Sequence, residues 1–181
     1  VRLKTFKQFF IRFGERRMNV IRTQLSLYAP EPVAISIEEI RETVDPVQFR
    51  LIPAHVTLCR EDELTDLPTV RARLRENRLA PVTLRFGKVE VFDGHGLLLP
   101  CREGEAAFHA LREAVLGTTD LRAHRPHLTL AHPRNPKAAG NSPETAAKLP
   151  NPLEITFSTV FLIEQTDGGP WEVLERFPLR G

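Results

Sequence analysis

From Ile21 to Tyr28, Ile21, Thr23, Leu25 and Leu27 alternate with Arg22, Gln24 and Ser26, the period of a half-buried strand, and Pro30 and Pro32 end it. A short helix over 33–44, a second strand over 49–59 and a helix over 64–79 complete a β-α-β-α rhythm. Arginines 71, 73, 75 and 78 are expected on the solvated face of that last helix. The second half repeats the rhythm with additions. Strands over 82–92 and 96–100 flank Asp93-Gly94, a hairpin signal, and a helix over 103–116 ends at Gly117. A strand over 127–131 follows Pro126. Residues 133–152, rich in Pro, Asn, Ala and Gly, read as a loop with a short helix near 143–148. Strands over 153–163 and 171–177, joined by Asp167-Gly168-Gly169-Pro170, predict a closing hairpin.

One short pattern occurs in both halves: His55-Val56-Thr57-Leu58 and His127-Leu128-Thr129-Leu130. On a strand, alternate side chains share a face. Each copy therefore sets an imidazole and a hydroxyl side by side on one face and two aliphatic anchors on the other. At the frequencies of Thr and Leu here, chance would produce one such match about 0.06 times, so two copies are a signal. The duplication predicts an α+β fold with two pseudo-symmetric lobes, each an antiparallel sheet with helices outside, around a central cleft where the two copies meet.

Composition narrows the class. With 181 residues, 41% hydrophobic and 27% charged, the chain suits one two-lobed domain, and no apolar run approaches the roughly 18 residues that span a bilayer. The net charge of +2 is uneven: residues 1–18 carry six basic groups against Glu15, a net +5, leaving the rest mildly acidic. We therefore expect a basic extension over 1–17, whose phenylalanines would suit an amphipathic or packed helix, and a single domain over 18–181. Cys59 and Cys101 show no metal-type spacing and read as reduced thiols of a cytoplasmic protein.

Two facing histidines suit phosphoryl transfer between oxygens without a metal. One neutral imidazole takes a proton from the attacking oxygen while the other, protonated, gives one to the leaving oxygen. The threonine hydroxyls can donate to the non-bridging oxygens and hold the group in line. Arg60 and Arg125 flank the motifs and could line an anionic groove; His132 and Arg134 follow the second copy. His124 and His132 suit either the cleft or a strand end. Tyr28 and Phe49 are expected in core packing, and His95 and His109 have no evident partner. A zinc site from Cys59, His124, His127 and His132 is the rival chemistry, but no carboxylate or thiolate stands at a ligand spacing. No cofactor or metal is expected.

Across residues 19–180 the paired HxT motifs, the run Arg125-Pro126-His127-Leu128-Thr129-Leu130-Ala131 and the terminal Trp171-Glu172-Val173-Leu174-Glu175-Arg176-Phe177-Pro178-Leu179 resemble the two-histidine phosphoesterase superfamily. The resemblance is to its bacterial 2'-5' RNA ligase and RNA 2',3'-cyclic phosphodiesterase branch. It implies that His55 and His127 are the acid/base pair and that Thr57 and Thr129 hold the phosphate. The implied substrates are 2',3'-cyclic phosphates or 2'-5' linkages at RNA ends or in nucleotides, with ligation as the reverse reaction, in a monomer. Where many RNA-acting members carry an arginine after the second motif, this chain has His132, with Arg134 two residues on. The alternative class is an RNA- or nucleotide-binding module that keeps the cleft without catalysis.

Overall fold

The computed structural model describes residues 19–76, 78–135, 141 and 143–181; the expected extension over 1–17 and its junction at 18 lie outside them. Strand β1 (Ile21–Tyr28) leads into helix α1 (Val33–Val44), helix α2 (Pro46–Leu51) and strand β2 (His55–Cys59). After a 3-10 turn come α3 (Leu67–Glu76), β3 (Val82–Phe86), β4 (Glu90–Phe92), β5 (Gly96–Glu103), α4 (Glu105–Leu116) and β6 (His127–Ala131). A second 3-10 turn precedes β7 (Leu153–Phe157), β8 (Thr159–Thr166) and β9 (Trp171–Pro178). None of the described helices is long and apolar enough to cross a membrane.

Two antiparallel sheets form the lobes. The first has the order β2-β1-β8-β9; in the second, β5 pairs with β6, β3 and β4, and β3 pairs with β7. The motif strands are thus equivalent: β2 lies at the edge beside β1, and β6 beside β5. Their registers match in detail. Tyr28 faces His55, Leu27 faces Val56 and Ser26 faces Thr57, while Pro100 faces His127, Leu99 faces Leu128 and Leu98 faces Thr129. The next pairs are Leu25 with Cys59 and Leu97 with Ala131, so each motif carries a bulge at its leucine, Leu58 or Leu130. The extra residue turns two successive side chains toward the core and ends the cleft-facing alternation after each threonine. Val56, Leu58, Leu128 and Leu130 are at most 1% exposed, each contributing about 1.5–3 kcal/mol of burial that fixes which face the histidines take.

The helices carry a second, weaker repeat. In α1 the buried positions are Ile37, Ile40, Arg41 and Val44; in α4 they are Phe108, Leu111, Arg112 and Val115. The pattern is a helical stripe with one arginine inside it. Arg41 donates to the carbonyl of Ile52 at 2.8 Å and to Glu38 at 2.6 Å, and the other Glu38 oxygen accepts from the Ala54 N–H, beside His55. Arg112, with 0% exposure, donates from Nε to the Leu58 carbonyl at 3.0 Å, from Nη1 to the Arg122 carbonyl at 3.2 Å, and pairs with Glu63. Arg41 and Glu38 therefore anchor the backbone that enters the first motif, while Arg112 ties the carbonyl that ends that motif's alternation to the segment leading into β6.

Several expectations need correction. Residues 49–59 are not one strand: Asp45 caps α2 by accepting from the Gln48 N–H at 3.1 Å, and Pro46 stands in its first turn. Strand 82–92 is broken between β3 and β4, where the Gly87 N–H turns to the Pro100 carbonyl at 2.9 Å. The helix over 64–79 shortens to α3; Arg75 and Arg78 are exposed as expected, whereas Arg71 and Arg73 are half-buried, and three of the four are tied to neighbouring elements. Arg71 and Arg75 pair with Glu175 of β9, and Arg73 donates to the Leu116 carbonyl at 2.6 Å, closing the end of α4. Gly117, at φ 71°, takes the left-handed conformation that ends the helix and that other residues adopt only with strain. Strand 153–163 divides between the lobes. Leu153, Ile155 and Phe157 are buried in one phase, Val160 and Leu162 in the other, and the slip at Ser158 is where the chain crosses from the second sheet to the first. The DG hairpins stand: Asp93 and Gly94, and Asp167 and Gly168, all have positive φ.

Arg112→Met should cost about 3–5 kcal/mol, because it leaves the Glu63 carboxylate buried without its cation. Urea denaturation measures this; a loss below about 1 kcal/mol would show that the tie carries little stability.

Candidate active site

The two motif strands come from different sheets, and no ladder joins them. They border a cleft of about 290 Å³. From lobe 1 it takes His55, Thr57 and Arg60 together with Arg22 and Gln24 of β1, Gln165 of β8 and Trp171 of β9. From lobe 2 it takes His124, His127, Thr129, His132 and Arg134.

The two motif histidines are held alike. His55 Nδ1 lies 2.8 Å from the Pro53 carbonyl, and His127 Nδ1 lies 2.9 Å from the Arg125 carbonyl, two residues back in each case. A carbonyl only accepts, so each Nδ1 carries the hydrogen and each Nε2 is left for the cleft. His55 is half-buried with the Tyr28 ring edge-on, centroids 6.3 Å apart. Burial, together with the charges of Arg41 and His127, pushes its pKa down to about 4, against the opposing pull of the Pro53 carbonyl. Both imidazoles line the one cleft.

Cross-lobe contacts set the spacing. His124 donates Nε2–H to the Thr57 carbonyl at 2.9 Å, stacks on Phe108 with centroids 5.8 Å apart, and lies 6.1 Å from the His127 ring. It is a positioning group bridging the lobes, and its pKa is lowered, mainly by burial. Asp45, fully buried at the end of α1, accepts from the His132 N–H at 2.9 Å and from the Asn135 side chain at 2.8 Å. This fixes the turn after β6. Within it the Arg134 N–H donates to His132 Nδ1 at 3.0 Å, which leaves Nε2–H as that ring's donor, and burial lowers the His132 pKa.

Seven of the eight residues singled out in the sequence therefore meet: His55, Thr57, His127, Thr129, His132, Arg134 and Arg60. Arg125 does not. It precedes the strand, so the alternation of β6 does not govern it, and it lines an adjoining depression with Glu90, Arg102 and Glu105 that His127 also borders. Its carbonyl accepts from His127 Nδ1. Cys59, in the proposed zinc set, is buried in the core with its thiol pushed up to about 12 by burial. Among the described residues no group of three His, Cys, Asp or Glu is placed to hold a metal. Both cysteines are free thiols. Tyr28 is not simply core: it stacks on Phe161 at 4.5 Å and buttresses His55. Phe49, His95 and His109 do not line the cleft.

Arg22, Gln24, Gln165 and Trp171 were not singled out. A signal existed: β1 sets Arg22, Gln24 and Ser26 opposite the core-facing Leu25 and Leu27, and Gln24, Ser26 and Gln165 are at most 9% exposed. Polar side chains buried on the second face of a sheet mark a cleft rather than a solvated surface.

Comparisons with known proteins agree with this architecture. The protein TT0787 of Thermus thermophilus is 24% identical, with a TM-score of 0.57 over 88% of this chain and 98% of that one. Escherichia coli LigT, in a crystal structure complexed with NADP+, is 16% identical with a TM-score of 0.56 and the same coverage; its complex with 3'-AMP gives 0.54. No curated protein sequence matches the chain. The sequence profile of the 2'-5' RNA ligase superfamily matches residues 29–169, well over half of the chain, and the chain belongs to that superfamily.

Proposed function

We propose that this protein is a metal-independent phosphoesterase that acts on 2',3'-cyclic phosphates or 2'-5' linkages of RNA ends or nucleotides. The observation that carries this is the pair of imidazoles, one from each lobe, each pinned at Nδ1 and each beside a threonine. Binding of 3'-AMP by the structurally similar LigT is in keeping with a nucleotide in such a cleft.

In hydrolysis of a cyclic phosphate, His55 Nε2 takes the proton of a water whose oxygen forms the new bond to phosphorus. The bond from phosphorus to one ribose oxygen breaks, and that oxygen takes a proton from His127 Nε2. His55 suits the base role because its lowered pKa keeps it neutral at pH 7. An anionic phosphate between the rings raises that pKa on binding, which strengthens it as a base. Thr57 and Thr129 donate to the non-bridging oxygens where charge grows. With the terminal hydroxyl of a second strand in place of water, the same step joins two ends: that hydroxyl gives its proton to His55 Nε2 as its oxygen bonds phosphorus, and the departing ribose oxygen takes one from His127 Nε2.

His55→Ala and His127→Ala should each lower kcat on a 2',3'-cyclic nucleotide by about 10²–10⁴-fold, with chelator leaving the wild-type rate unchanged. Thr57→Val and Thr129→Val should cost about 10²-fold, mainly in kcat. Full turnover by both histidine variants would sink the mechanism.

The pKa of His55 also makes a stability prediction. The folded state holds this imidazole neutral down to about pH 4, whereas the unfolded chain protonates it near 6.5. The unfolded state thus binds more protons in that window, so the stability contributed by neutral His55 is present above pH 6.5 and lost as pH falls toward 4. His55→Asn should lose about 1–3 kcal/mol less than wild type between those values, read from denaturation curves at each pH. An NMR titration placing the His55 ring at or above 6.5 would contradict it.

A further inference from the structure

The cleft extends beyond the paired histidines along lobe 1. Strand β1 presents Ser26, Gln24 and Arg22 on the cleft side in that order. Ser26 is registered with Thr57, while Arg22 is registered with Gln165, which is registered with Trp171. Four residues at about 3.3 Å each place the Arg22 rung about 13 Å from the Thr57 rung. That is the span of a terminal ribose, one phosphodiester and the preceding nucleoside.

At this rung the Arg22 guanidinium carbon lies 5.5 Å over the Trp171 ring. Its Nε donates to Glu61 at 2.9 Å, and Nη1 reaches the Gln165 side-chain oxygen at 3.5 Å. The guanidinium lies over the indole and is held by two acceptors, yet the side chain keeps 38% exposure and lines the cleft. Glu61 already balances its charge, which suits a neutral aromatic partner better than a second phosphate. Guanidinium planes are surfaces on which unstacked bases lie.

We propose, building on the phosphoesterase reading above, that the Arg22–Trp171 stack is a platform for the base of the nucleotide preceding the reacting one. The preferred substrate is then an oligonucleotide end of at least two nucleotides rather than a mononucleotide. The terminal nucleoside lies between the histidines and this rung, over Gln24.

The chain has one tryptophan, so its emission reports on this rung. In the His55→Ala protein, which blocks turnover, titration with a dinucleotide ending in a 2',3'-cyclic phosphate should change the emission and give a Kd at least about fivefold tighter than the corresponding mononucleotide. Arg22→Gln should abolish that preference. Arg22→Lys, which keeps the charge but not the plane, should abolish it too. Equal affinity for the two ligands, or a preference that survives both substitutions, overturns the platform while leaving the phosphoesterase reading intact. Binding of neither ligand, with no turnover by the wild type, overturns both.

Discussion

The site depends on a constraint that no sheet supplies: two half-sites on separate sheets must be held at one spacing. Backbone ladders fix each motif within its own lobe and stop there. The lobes share one apolar core, and polar groups reaching across it add directional ties. Arg112 of α4 holds the Leu58 carbonyl and Glu63, Asp45 of α1 holds the turn at His132, and His124 holds the Thr57 carbonyl. In a low-dielectric interior such contacts are strong when complete and costly when broken. They therefore favour one inter-lobe geometry over neighbouring ones.

The near symmetry of the fold explains why its departures carry information. Both motif strands have the same bulge, the same Nδ1 anchor and the same burial pattern, so the two imidazoles begin as equivalents. Their surroundings then diverge. His55 faces Tyr28, backed by Phe161, where the equivalent neighbour of His127 is Pro100, and His127 has His124 beside it instead. The two imidazoles thus stand in unequal surroundings although their anchors are alike.

The lobes are also unequal as surfaces. On lobe 1 the rung formed by Arg22, Gln165 and Trp171 prolongs the cleft beyond the motif. In lobe 2 the corresponding strand face carries Leu98 where β1 has Ser26. The imidazoles and threonines are thus shared between the lobes, whereas the extended floor belongs to the first.

Sequence alone determined the motif strands, both DG hairpins and the two-lobed α+β plan, because these rest on local periodicity and turn chemistry. It also held two signals that were not read: the Ile40-Arg41-Glu42 and Leu111-Arg112-Glu113 repeat in the helices, and the phase slip at Ser158 that sends β7 and β8 to different sheets. Tertiary structure decided the rest. Whether an arginine near a motif faces the cleft depends on how the chain enters the strand, which is why Arg60 and Arg134 reach it and Arg125 lines the adjoining depression on the other side of His127. Arg22 and Trp171 stand far apart in the chain and become neighbours only through the β1-β8-β9 register. The twin motif sets which side chains share a face because a strand's alternation is local. The cleft around them arises from long-range pairing, which no local pattern encodes.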